Sequence, residues 1–190
     1  MIKLVIGSSV VTMKLYLREI VESDKEEILK LINEINLSND YEKFEGLSNI
    51  KKVNNDNFQE FLIELKNNKN LKLYKPHLVD QTTYILVDDN NRIYGGTNIR
   101  HELNNNLLKH GGNIGYLIRP SERGKGYAKL LLNLTLEKCK LLNIPKVLIT
   151  CREKNIASAK VIETNGGVFE SSLYVEEKQE TYRRYWIEIK

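Results

Sequence analysis

Ile28, Leu31, Ile32 and Ile35 recur at helical spacing, which predicts a helix with one buried stripe. Ser23 stands before it as the N-cap, with Glu26 as its capping-box partner. Phe58, Phe61, Leu62 and Leu65 predict a second helix over 57–67. Between the two, residues 36–55 lack a clear period. They carry the acidic and aromatic group Asp40, Tyr41, Glu42, Phe44 and Glu45, read as a surface loop with its two rings turned inward. Short alternating or β-branched runs predict strands at Lys14–Arg18, Thr82–Val87, Ile93–Ile99, Asn113–Ile118 and Lys146–Thr150. Asp88–Asn91 is a turn, and Gly95–Gly96 signals a bulge or a close backbone approach. Leu103–His110, Tyr127–Leu142 and Ser158–Asn165 predict helices, the last ended by Gly166–Gly167. Val168–Glu176 and Thr181–Ile189 form a final hairpin. Strands and helices in this mixed order argue for a layered α/β fold.

Composition narrows the class. A chain of 190 residues with 41% hydrophobic content makes one domain with one sizeable core. No apolar run approaches the roughly 20 residues that span a bilayer, and no membrane role is expected. The broken apolar stretch 1–13 reads as an N-terminal extension, partly flexible, ahead of a single domain over 14–190. A net charge of +4, without a dense basic face or zinc motif, does not call for nucleic acid. Cys139 and Cys151 form no C-x-x-C pair, and His77, His101 and His110 have no metal-ligand spacing. Reduced thiols, no metal and a cytoplasmic location are the expectations.

The chemistry concentrates at Arg119-Pro-Ser-Glu-Arg-Gly-Lys-Gly-Tyr-Ala128. A glycine-containing turn between a strand and a helix lets backbone N–H groups converge on an anion, aided by the helix dipole. Arg123 and Lys125 would add positive side chains.

Arg123-x-x-Gly126-x-Ala128 resembles the acyl-CoA-binding signature of the GCN5-related N-acetyltransferases. The likeness extends through Ile114–Pro120 before it and Lys146–Cys151, Asn155–Ala159 and Asn165–Gly167 after it. It covers most of 14–187, and within the family it is nearest to a bacterial group of predicted acetyltransferases. The resemblance implies a mixed, largely antiparallel central sheet flanked by helices. It also implies transfer of an acetyl group from acetyl-CoA to a primary amine of a small molecule or protein. The acceptor and oligomeric state stay open, a homodimer included.

By that resemblance Arg123, Gly124, Lys125, Gly126, Tyr127 and Ala128 hold the CoA pyrophosphate. Tyr116, Leu117 and Ile118 run beside the pantetheine, with Asn155 and Ser158 close by. Many relatives carry a tyrosine seven residues after the asparagine; here that position is Ile162. Tyr116 is the alternative acid. His101 and Glu102, after the third strand, are the candidate bases on position and titratability. Two other readings stand beside this one: a non-catalytic acyl-CoA sensor on the same fold, and a basic nucleic-acid module. The aromatic and basic run Tyr182–Trp186 bears weakly on the latter.

Overall fold

Nine strands and five helices are seen in a computed structural model, which describes residues 2–6, 9–38 and 46–190. The acidic and aromatic group at 40–45 lies outside the described residues. The N-terminal stretch, expected as an extension, is built as an antiparallel hairpin of β1 (Ile2–Ile6) and β2 (Ser9–Met13). Then follow β3 (Tyr16–Arg18), α1 (Lys25–Leu37), α2 (Phe58–Asn67), β4 (Gln81–Val87) and β5 (Ile93–Arg100). The rest of the chain is α3 (Asn105–Lys109), β6 (Ile114–Ile118), α4 (Tyr127–Leu141), β7 (Lys146–Arg152), α5 (Ile156–Thr164), β8 (Val168–Val175) and β9 (Glu180–Glu188).

The stripe Ile28, Leu31, Ile32 and Ile35 is buried, as its spacing predicts. The entry to α1 differs from the capping box expected at Ser23. Asp24 does the work instead: its buried carboxylate accepts the Val21 N–H at 2.8 Å and pairs with both Arg18 Nη atoms at 2.6 and 2.7 Å. A doubly bonded buried acid holds the chain more firmly than an exposed serine hydroxyl would.

Strands β3-β4-β5-β6 form one antiparallel sheet and β7-β9-β8 another. Successive side chains of a strand face opposite ways, and β4 is covered on both faces. Ile85 and Val87 join the cluster of Ile28, Leu31 and Phe58 from α1 and α2. Tyr84 and Leu86 join Leu131 and Leu132 of α4. Both readings of Gly95–Gly96 are seen: a Cβ on Gly95 would lie 2.4 Å from Leu117 O, and the ladder is irregular beside it, where Leu86 pairs with Gly95 and Val87 with Ile93, leaving Tyr94 as the extra residue.

Strands β6 and β7 are neighbours without a ladder between them. Asn113 joins them. Its N–H donates to Leu148 O at 2.7 Å, and its Oδ1 accepts the Leu148 N–H at 2.8 Å. Its Nδ2 and carbonyl serve Arg100 on the other side, at 3.1 and 2.8 Å. One buried amide thus replaces the strand pairing at a single point. Beyond it the two sheets part, and the facing strand edges are left to line a cavity.

A second tether fixes the far end of β6. Arg119 is 3% exposed. Its Nε reaches Glu34 at 2.6 Å, and its Nη1 reaches Glu27 at 2.9 Å and Ile93 O at 3.0 Å. Ser121 also donates to Glu34, at 2.8 Å. The turn after β6 is therefore bolted to α1.

Candidate functional site

Gly124 and Gly126 adopt φ of +74° and +83°, the left-handed region that side-chain-bearing residues enter at a cost. A Cβ at either would meet nothing within 4 Å. Here the backbone, not crowding, demands glycine, and the space above it is open. Gly126 is the N-cap of α4, whose first intrahelical bond runs from Leu130 N–H to Gly126 O at 3.4 Å. The amides of the first turn have no partner within the helix. Turn and helix end together make a concave, positively polarised surface of the kind that takes a phosphate.

The side chains of this turn build it more than they add charge. Arg123 Nε donates to Ile118 O at 3.2 Å. Lys125 pairs with Glu122 at 2.9 Å, and Glu122 also pairs with Arg92 at 2.7 Å. Tyr127 is buried edge-on to Tyr94, with ring centroids 5.1 Å apart, and Ala128 packs against the same core. Arg123 and Lys125, expected to add positive side chains to the amides, are engaged within their own loop, which leaves the backbone amides as the candidate anion-binding groups.

Where the sheets part, a cavity of about 300 Å³ opens. Tyr116 of β6, Thr150, Cys151 and Arg152 of β7, and Asn155 and Ser158 at the start of α5 line one part of it. Tyr116 Oη lies 2.9 Å from Ser158 Oγ, a polar contact across the cleft. Asn155 Oδ1 accepts the Ser158 N–H at 2.9 Å and so caps α5. Tyr116, Asn155 and Ser158 are thus brought together. Leu117 and Ile118 turn their side chains into the two hydrophobic clusters and offer the site only backbone. Gly46 lies against the Tyr116 backbone so closely that a Cβ would fall 1.9 Å from its carbonyl oxygen.

Ile162 is fully buried, and a Cβ on Gly167 would meet its Cγ2 at 2.4 Å. It does not line the cavity. The position that carries a tyrosine in many relatives is here part of the core.

His101 and Glu102 do not line the cavity either. The His101 ring is 2.9 Å from Thr82 Oγ1, and burial lowers its pKa, with Lys69 adding to that against Asp80 and Glu102. Glu102 pairs with Lys72. His110, which the sequence places at the end of the helix over Leu103–His110 and gives no role, does line the cavity. Its ring lies 5.9 Å from that of Tyr182, and its buried Nδ1 has no hydrogen-bond partner among the described residues. Burial, then Lys178, Lys109 and Arg100, push its pKa below the ordinary 6.5, against Glu177. The imidazole is therefore neutral at pH 7. No local motif announces His110; the left-handed Gly111 and Gly112 after it fold this segment onto β7.

Of the run Tyr182–Trp186, Tyr182 lines the cavity, whereas Arg184 and Trp186 both bind Glu170, at 2.5 and 2.8 Å. Those contacts hold the Glu170 carboxyl down to about 2. Among the described residues no group of three or more His, Cys, Asp or Glu could hold a metal ion, and no helix is long and apolar enough to cross a membrane.

The sequence matches the acetyltransferase (GNAT) domain family over residues 14–168. No curated protein matches it. Solved structures share the fold at low identity. A spermidine N-acetyltransferase from Vibrio cholerae in complex with CoA and spermine is 19% identical, covering 92% of this chain and 95% of its own, with a TM-score of 0.60. A ribosomal-protein-S5-alanine acetyltransferase from Vibrio fischeri is 18% identical over 92% and 93%, with a TM-score of 0.63. A ribosomal L7/L12 alpha-N-protein acetyltransferase in complex with coenzyme A is 18% identical over 92% and 94%, with a TM-score of 0.64.

Proposed function

The chain belongs to the acetyltransferase (GNAT) family and is an acetyl-CoA-dependent N-acetyltransferase, and from that premise we propose how its own residues divide the work. The amides from Gly124 to Ala128 hold the pyrophosphate of acetyl-CoA. The single observation that carries this is the pair of left-handed glycines with open space above them at the head of α4. The residues fit the group, because a phosphate needs convergent amides and no crowding side chain. Once bound, acetyl-CoA supplies an activated thioester, so that no protein nucleophile is needed. Cys151 borders the cavity but packs into the core cluster, and its thiol is given no covalent step.

The parted edges of β6 and β7 accept the pantetheine arm. Tyr116, held by Ser158, gives a proton to the departing thiolate. The acceptor amine must lose a proton before it attacks. His110 is the better-placed base, since it lines the cavity and is neutral at pH 7, while His101 and Glu102 lie outside it.

Calorimetric titration with acetyl-CoA, followed by CoA-thiol release over a panel of amines, tests this reading. Tyr116→Phe is expected to cut turnover about 100-fold with acetyl-CoA affinity unchanged. Full activity would leave solvent as the proton source. His110→Gln is expected to remove the acidic-limb inflection of the rate profile. Because the pKa of His110 is lowered, that inflection lies below the ordinary 6.5, and activity falls only as pH drops through it. His101→Gln and Glu102→Gln are expected to keep both rate and profile; loss in either restores them as bases.

The named structural neighbours act on a polyamine in one case and on ribosomal proteins in others. What they share with this chain is the fold, so the acceptor has to be read from this chain's own cavity.

A further inference from the structure

Resting on the acetyl-transfer reading above, we propose that the acceptor is a small amine that also carries an oxyanion, a carboxylate or a phosphate ester, and that Arg100 and Lys178 form the cationic wall that selects it. Both line the cavity, and no aspartate or glutamate among the described residues does. Arg100 is the central member. Its Nη1 donates to Gly111 O and Gly112 O, both at 3.2 Å. Burial lowers its pKa, though a guanidinium stays charged at any working pH. A cation drawn that far from water is costly when its partners are neutral, and an incoming oxyanion removes the cost. The planar guanidinium fork suits a carboxylate or phosphate.

A second cation, Lys178, stands exposed at the rim of the same cavity. A polyamine brought into this wall would set cation against cation. An amine with an oxyanion would instead be oriented, its anion on Arg100 and its nitrogen toward His110 and Tyr116.

The phosphates of CoA do not account for the wall. Arg100 is bonded to Asn113, at the start of β6, whereas the left-handed turn leaves from its end at Ile118. A strand rises about 3.3 Å per residue, so the five residues of β6 separate the two cationic sites by more than a phosphate's reach.

The test compares matched acceptors in the thiol-release assay. β-Alanine is set beside its amide, phosphoethanolamine beside ethanolamine, and a set of α-amino acids beside their amides and beside spermidine. The expected result is a kcat/KM at least about 30-fold higher for the oxyanion-bearing member of a pair. The preferred pair tells carboxylate from phosphate. Arg100→Gln and the exposed Lys178→Ala should each erode that preference through KM, with acetyl-CoA affinity at the wild-type value. Lys178→Ala covers the case in which Arg100→Gln does not fold. Equal or better use of amides or spermidine overturns the proposal, and so does acetyl-CoA binding with no turnover of any oxyanion acceptor. Failure to bind acetyl-CoA at all would instead overturn the proposed seating of the donor.

Discussion

Gly126→Val is expected to leave the protein folded and to weaken acetyl-CoA binding about 100-fold, by the loss of two hydrogen bonds to a charged phosphate at about 1.5 kcal/mol each. The reasoning starts from the backbone. At φ +83° a β-branched residue is strained, by about 1–3 kcal/mol. The turn must then either keep that strain or rotate its amides away from the ligand. The new side chain has no protein neighbour to strike, since a Cβ there meets nothing within 4 Å. The fold is spared, and the methyl groups fill the space proposed for the pyrophosphate. Gly126→Ala should fall between the two. Lys125→Ala should cost little, because Lys125 is already paired with Glu122 and the amides remain. Calorimetry on variants with native circular dichroism checks this, and unchanged affinity in a folded Gly126→Val would remove the pyrophosphate from this turn.

Arg119→Leu is expected to cost about 3 kcal/mol of stability, at the lower end for a broken buried ion pair. The lower end applies because Glu27 and Glu34 keep side-chain exposures of 23% and 31%, so water can reach them when the arginine is gone. The same network gives a pH dependence. Partial burial acts to raise the pKa of both acids, but the Arg119 hydrogen bonds outweigh it, helped by Lys30 and the Ile93 amide at Glu27 and by Ser121 at Glu34. Both pKa values therefore fall below 4.5. A lowered folded-state pKa gives stability that is present above the ordinary carboxylate value and lost as pH falls through the folded value. Urea midpoints measured from pH 7 to pH 3 should converge for wild type and Arg119→Leu toward the acid end. A constant gap across that range would contradict the network's role.

Periodicity made the helices legible and composition the strands. The α1 stripe and the alternating halves of β4 needed only spacing and burial. The cap at Ser23 was misread because Asp24, one residue on, is recruited by Arg18, a partner that local pattern does not single out. The pairing of β1 with β2 has no signal in the sequence, where Gly7, Ser8 and Ser9 read only as a break in an apolar stretch. At the site, the left-handed turn and its backbone amides are legible from the glycines, whereas the engagement of Arg123 with Ile118 O and of Lys125 with Glu122 is not. The cleft itself was hidden. It depends on Asn113 standing in for a strand pair, and on Gly111 and Gly112 laying His110 against β7. Such contacts join residues distant in the chain, and no short motif encodes them. For the same reason His101 and Glu102 looked suitable by sequence position yet lie outside the cavity.

The seating of acetyl-CoA is tested most directly by amide hydrogen exchange on the whole chain, with and without the ligand. Acetyl-CoA should slow exchange at Gly124–Lys129, at the facing edges of β6 and β7, and at the start of α5. The β8–β9 hairpin beyond Tyr182 should stay unchanged. Protection confined to other segments, or none at the Gly124–Lys129 turn while acetyl-CoA is bound, would contradict the account.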